Sequence, residues 1–136
     1  MTSSAPFRYR AAEAGLTEPL VRRVVVSFYD EVRRDALLGP VFAEAIGDDW
    51  DAHIERIVRF WLTATRLGRG YDGRNFMAAH LRNHAIRAHQ LSRWLELFRA
   101  TAGKHCSPQA AAVLVDIADR MADTLVIGLT RRDADR

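Results

Sequence analysis

The stretch DDWDAHIERIVRFWLTATRLG, residues 48–68, decides the fold class. Trp50, Ile54, Ile57, Val58, Trp61, Leu62 and Thr65 recur at steps of three and four, so they share one face of a helix. Asp48 or Asp49 is the expected cap at its start, and the expected end is near Leu67. At 1.5 Å per residue such a helix is about 28 Å long, enough to cross a small domain. The period-two alternation of a half-buried strand is missing here and elsewhere in the chain.

The helical period continues on both sides. Upstream, LVRRVVVSFYDEVRRD (20–35) puts Leu20, Val21, Val24, Val25, Phe28 and Val32 on one face, behind an expected Thr17 cap and a first-turn Pro19. The valines at 24–26 form too short a run to outvote that period. Gly39-Pro40 reads as a break, followed by a short turn of helix over 41–46 that Gly47 ends. Downstream, Gly68, Gly70 and Gly73 make a loop around Tyr71, and residues 75–83 form a short helix. A further helix from about Ala88 to Gly103 carries Leu91, Trp94, Leu95 and Phe98. Ser107-Pro108 starts the last one, which runs to about Thr130 with Val113, Leu114, Ile117, Met121, Leu125 and Ile127 as its apolar positions. The expectation is an all-α chain of about six helices. Residues 1–136 form a single domain, 1–16 a loose N-terminal arm and 131–136 a fraying tail.

Composition excludes several classes. The chain has 136 residues, 49% of them hydrophobic, which suits one domain around one core. No apolar run approaches the roughly 18 residues of a membrane helix, and MTSSAPFRYRAAEAG lacks the apolar centre of a secretory signal. Cys106 is the sole cysteine, so there is no internal disulfide and no C-x-x-C-H attachment motif; a reducing cytoplasmic setting is expected. Net charge is +3, and the basic residues, arginines apart from Lys104, are interleaved with acids, so no nucleic-acid face is expected.

The informative chemistry lies in two histidines. His53 and His80 both adjoin apolar helical stripes. Two imidazoles that can face each other across an apolar slot are what a helical protein needs to hold haem, one binding iron and the other standing over the opposite face. The cofactor also needs apolar walls and cations near its propionates. His80 follows Phe76 and Met77 by four and three positions, so the three share a helix face. His84 lies one turn further on, and His89 opens the next segment. His53, Ile57 and Trp61 form one row, flanked by Arg56 and Arg59, which could reach propionates. Tyr29 and Trp94 carry polar tips that need partners if buried. Each also has a plainer reading: a core histidine at 80, a surface histidine at 53, solvated arginines, packed aromatics. Other chemistries fit less well. Position 81 is Leu where a helical zinc motif has Glu, no E-x-x-H supports a di-iron site, and Gly68-Arg69-Gly70 lacks the Gly-Lys-Ser/Thr ending of a phosphate loop.

Taken in order, SFYDEVRRD, LGPVFAEAIG, DWDAHIERIVRFW, LGRGYDG, MAAHL and RWLELF resemble the group III truncated haemoglobins. The likeness spans about residues 17–103, with a compatible final helix. It implies a globin-like two-over-two helical sandwich holding non-covalent haem b. His80 would be the axial ligand to iron and His53 the histidine that gates ligand access on the other side. Tyr29 and Trp94 would donate hydrogen bonds to bound ligand, and Phe42 would wedge against the porphyrin. Phe28, Ile57, Trp61 and Met77 would line the pocket, with Arg56 near the propionates. The chain departs from the pattern after His80, where many relatives carry H-L-x-L-P-P and this one reads HLRNHAIRAHQL. The path of residues 81–91 is therefore open, and His84 could approach the haem edge.

Iron held by one imidazole keeps a position for O2, CO or NO. Two donors over that position would make O2 leave slowly, which fits chemistry on the bound ligand better than oxygen storage or transport. NO detoxification and peroxide-dependent oxidation are the expected reactions, each needing a separate reductase. The alternatives are a non-catalytic oxygen or gas sensor and, from another class, a haem-free helical interaction module.

Overall fold

The computed structural model describes residues 7–71 and 76–135. Among them are seven α-helices and no strand: α1 (Phe7–Glu13), α2 (Glu18–Arg34), α3 (Leu38–Ile46), α4 (Trp50–Ala64), α5 (Phe76–Arg82), α6 (Gln90–His105) and α7 (Pro108–Ala134). α2 packs on α4 and α6 packs on α7, with α2 also lying against α6. That gives two helices over two. α3 bridges α2 and α6, while α5 rests on α7.

Local chemistry sets the main boundaries. The Thr17 hydroxyl accepts from the Leu20 amide at 3.3 Å, and Ser107 accepts from Ala110 at 3.2 Å. Each such cap is worth about 1 kcal/mol. Both starts agree with the sequence. Asp49 occupies the cap position of α4, but its side chain makes no capping bond. α4 ends at Ala64 rather than Leu67. There the Thr65 hydroxyl donates back to the Trp61 carbonyl at 2.7 Å, and Arg66 takes a left-handed φ of 63°. Gly103, expected to end α6, lies inside it, and Cys106 is the cap.

Gly39-Pro40 does not break the chain but sits in the first turn of α3. Proline is tolerated there because a first-turn N–H has no helical partner. Gly39 is buried, and a Cβ on it would lie 2.8 Å from the Arg33 carbonyl oxygen, so its role is close packing against the end of α2. The turn between these helices is fixed by Asp35, whose carboxylate accepts from the amides of Leu37 (3.1 Å) and Leu38 (3.0 Å). The same carboxylate accepts from Arg93 of α6 at 2.9 and 2.7 Å, tying three helices together.

The core is aromatic at its centre. Trp61 stacks on Phe98 at 5.0 Å between ring centroids, and Phe98 stacks on Trp94 at 5.6 Å. Phe28 sets its edge against Trp94 and Phe98 at 5.3 and 5.1 Å. Offset and edge-to-face geometries of this kind add to the gain from burial.

Both expected loose ends are structured where they are described. α1 and the turn after it belong to the core, with Ala11 and Leu16 buried against the rest of the molecule. At the other end α7 continues through Ala134, and the Arg132 side chain is only 10% exposed. Arginine-rich ends look solvated in sequence; burial here follows from α5 and the loop after it covering α7. Ile127, expected on the apolar face, is 55% exposed. No helix among the described residues is long and apolar enough to cross a membrane.

Candidate functional site

A cavity of about 270 Å³ opens between α2, α3, α4, α5, α6 and α7. Most of its wall is apolar: Leu38, Val41, Ile57 and Leu91 supply aliphatic surface, and Phe42, Phe60 and Trp61 supply rings. Met121 and Leu125, one turn apart on α7, close one part of it. The helical stripes dictate this arrangement, because each helix turns its apolar face inward and the faces do not fill the space they enclose.

Polar groups interrupt that wall. Tyr29 on α2 and Trp94 on α6 are both 7% exposed and both line the cavity. Burial drives the Tyr29 phenol up to about 12, an effect that a hydrogen bond from Trp94 partly offsets. An indole N–H can only donate, so the phenol oxygen is the acceptor and keeps its own proton to donate. Phe42 and His53 flank the Tyr29 ring at 5.8 and 6.4 Å between centroids. His53, on α4, has its pKa lowered, first by burial and then by the charges of Arg56 and His80, with Asp49 opposing. His80, on α5, lines the same cavity as His53. Arg56 and Arg87, both exposed, stand on the cavity rim.

No family model matches the chain. A group 3 truncated haemoglobin of Campylobacter jejuni is 32% identical to it over 87 residues, covering 61% of this chain and 67% of that protein. The chain belongs to the group III truncated haemoglobins. In three dimensions it resembles the crystal structure of a group III truncated haemoglobin from Campylobacter jejuni, with a TM-score of 0.78 and 25% identity. That match covers 84% of this chain and 91% of the other. The two-over-two arrangement is thus the truncated-globin fold.

Set against this truncated haemoglobin fold, the sequence-derived residues separate clearly. Tyr29, Phe42, His53, Arg56, Ile57, Trp61, His80 and Trp94 meet at one cavity although they come from five helices. Phe28 does not line it. It is 1% exposed and lies behind Tyr29, at 4.8 Å between centroids, because successive helical positions point about 100° apart. The Met77 side chain, like that of Phe76, lies outside the described residues. His84 and His89 are exposed and do not line the cavity, so His84 does not approach it as the sequence allowed.

Several lining residues escaped the sequence reading. Met121 and Leu125 were legible as an apolar pair on α7, but not as facing the cavity rather than the core. Arg87 and Gln90 gave no signal. They enter through the segment without prolines, where the Asn83 side chain accepts from the Ala85 amide at 3.0 Å and Gln90 accepts from the Arg87 amide at 3.0 Å. These side chains hold the turns of this segment.

The donor set suits a flat apolar group held by one imidazole better than a bare ion. Among the described residues no group of three or more His, Cys, Asp or Glu side chains could cage a metal. The cavity instead offers imidazoles on two helices, aromatic and aliphatic walls, and two guanidinium groups on its rim. An apolar ring system with carboxylates on one edge matches that distribution.

Proposed function

We propose that the chain binds haem b in this cavity and uses it to bind O2, NO or CO. One observation carries the reading: His53 and His80, from separate helices, line a single apolar cavity together with the buried Tyr29–Trp94 pair. When bound, haem supplies an iron that one protein imidazole can hold while another position stays open to a diatomic ligand.

His80 would hold the iron through its imidazole, and the apolar walls would exclude water from the site. Arg56 and Arg87 pair with the propionates at the rim, where solvent screening makes them orienting contacts rather than large stability contributions. Phe42 and Trp61 confine the ring. On the ligand side Trp94 donates to the Tyr29 oxygen, which fixes the phenol so that its proton points at a polar ligand. Burial keeps that proton in place, since ionising the phenol in an apolar wall is unfavourable. His53, kept neutral at pH 7 by burial and by Arg56, stands as a movable polar gate.

A phenol donor held in place favours ligand retention over rapid release. The function that follows is redox chemistry on the held ligand, NO conversion to nitrate or peroxide-dependent oxidation, in a cytoplasmic setting with a separate reductase supplying electrons. Absorption spectra of the ferric, ferrous and CO-bound forms test the haem assignment. A strong haem band with one histidine ligand in the ferrous state is expected, and a colourless protein that ignores added hemin overturns it. Rapid O2 release with no turnover of NO or peroxide overturns the redox part alone.

A further inference from the structure

The segment after His80 is held by an arginine from the far end of the chain. Arg132, near the end of α7, donates through Nη1 to the carbonyls of Leu81 (3.3 Å) and Asn83 (3.1 Å), and through Nη2 to that of Ile86 (2.9 Å). Its Nε donates to Asp133 at 2.9 Å. Leu81 belongs to the last turn of α5, whose carbonyls have no partner within the helix. A guanidinium is rigid, and its two terminal nitrogens are fixed relative to each other, so it holds these three carbonyls in one geometry.

The connection to His80 is short. The Asn83 amide donates to the His80 carbonyl at 3.3 Å, and the Asn83 carbonyl accepts from both Arg132 and the Ile86 amide, the latter at 3.1 Å. Arg132 therefore grips the peptide next to the one that bonds His80. The same arginine reaches the cavity rim through Asp133, which lies 3.7 Å from Arg87.

We propose that Arg132 is a positioning residue for His80: by fixing the carbonyls of residues 81–86 it sets the angle at which the α5 imidazole meets its ligand. This inference rests on the haem reading above. Partners behind a metal-bound histidine tune the metal as well as the fold, so the effect is expected in the iron–histidine bond itself.

The test uses the haem-loaded protein in its ferrous, ligand-free form. The readouts are the iron–histidine stretching band by resonance Raman and amide exchange at Asn83 and Ile86. In Arg132→Gln the band shifts or splits and exchange at both amides rises about tenfold or more, as expected when a local unit loses its tie. Arg131→Gln, which removes the same charge from an exposed neighbour, leaves both readouts at wild-type values. An unchanged band in Arg132→Gln overturns the proposal, even if exchange rises, because Arg132 is then a loop tie only. An equal shift in Arg131→Gln overturns it too, as an effect of charge. If Arg132→Gln does not take up haem, Arg132→Lys decides. Its single nitrogen cannot stand at both the Nη1 and Nη2 positions that hold these carbonyls, so a band shifted from wild type supports the proposal and an unchanged band overturns it. Failure of the haem reading is distinct, because the wild-type protein itself then shows no haem band.

Discussion

Trp94 of α6 and Tyr29 of α2 line the same cavity, both side chains 7% exposed, and the indole opposes the rise that burial imposes on the phenol's pKa. An indole N–H can only donate, so beside it the phenol keeps its own proton to give. Hydrogen bonds to charged groups contribute roughly 1.5–3 kcal/mol, and a factor of ten corresponds to about 1.4 kcal/mol. Tyr29→Phe is therefore expected to speed O2 release about tenfold or more. Trp94→Phe loosens the phenol and should act in the same direction. Stopped-flow release rates measure both, and an unchanged rate removes that residue from the ligand-binding set.

The same burial makes a pH prediction. The Tyr29 phenol is pushed up from 10.0 to about 12. A raised pKa means the folded state holds the proton more tightly than the unfolded chain. The associated stability is fully present below pH 10 and is lost as pH rises toward 12. In a spectrophotometric titration one phenolate should form well over a pH unit above 10.0, and Tyr29→Phe should abolish that component.

Asp35 makes the opposite prediction in acid. Its hydrogen bond from Arg93 and those from the Leu37 and Leu38 amides hold the carboxyl below its ordinary 3.8. Stability from a depressed carboxylate is present above the unfolded value and disappears as pH falls through the folded one, below pH 3.8. Asp35→Asn should flatten the acid limb of a stability–pH profile. Asp35→Ala should also cost about 1 kcal/mol at neutral pH from the lost turn hydrogen bonds to Leu37 and Leu38, read by denaturant midpoint.

Gly39→Ala should destabilise. The new Cβ meets the Arg33 carbonyl oxygen at 2.8 Å, and that oxygen belongs to backbone that cannot swing aside. Overpacking of this kind costs about 1–3 kcal/mol. A thermal midpoint equal to wild type would show that α3 can shift on α2.

The two histidines should separate in their effects. His80→Ala is expected to lose stable haem uptake or to force a different axial ligand. His53→Ala is expected to retain haem and change ligand association rates. Spectra after hemin titration and flash-photolysis rebinding distinguish them, and full haem retention by His80→Ala would remove it as the ligand.

The sequence by itself determined the helical class and the approximate course of α2, α4, α6 and α7, because apolar periodicity and two proline-assisted caps are local signals. It also supplied the family likeness and the eight side chains that meet at the cavity. Only the tertiary structure decided which aromatic faces the cavity: Tyr29 lines it and its neighbour Phe28 packs behind, a choice set by how α2 is rotated against α6. It alone decided that α1 and the end of α7 belong to the folded body, since Ala11 and Arg132 are ordinary surface residues until their partners arrive. And it alone showed how the segment after His80 is held, because a guanidinium on three carbonyls 46 to 51 residues away has no periodicity, motif or spacing to betray it. Short-range preference writes a helix into the chain. Contacts between distant residues exist only once the chain has closed on itself.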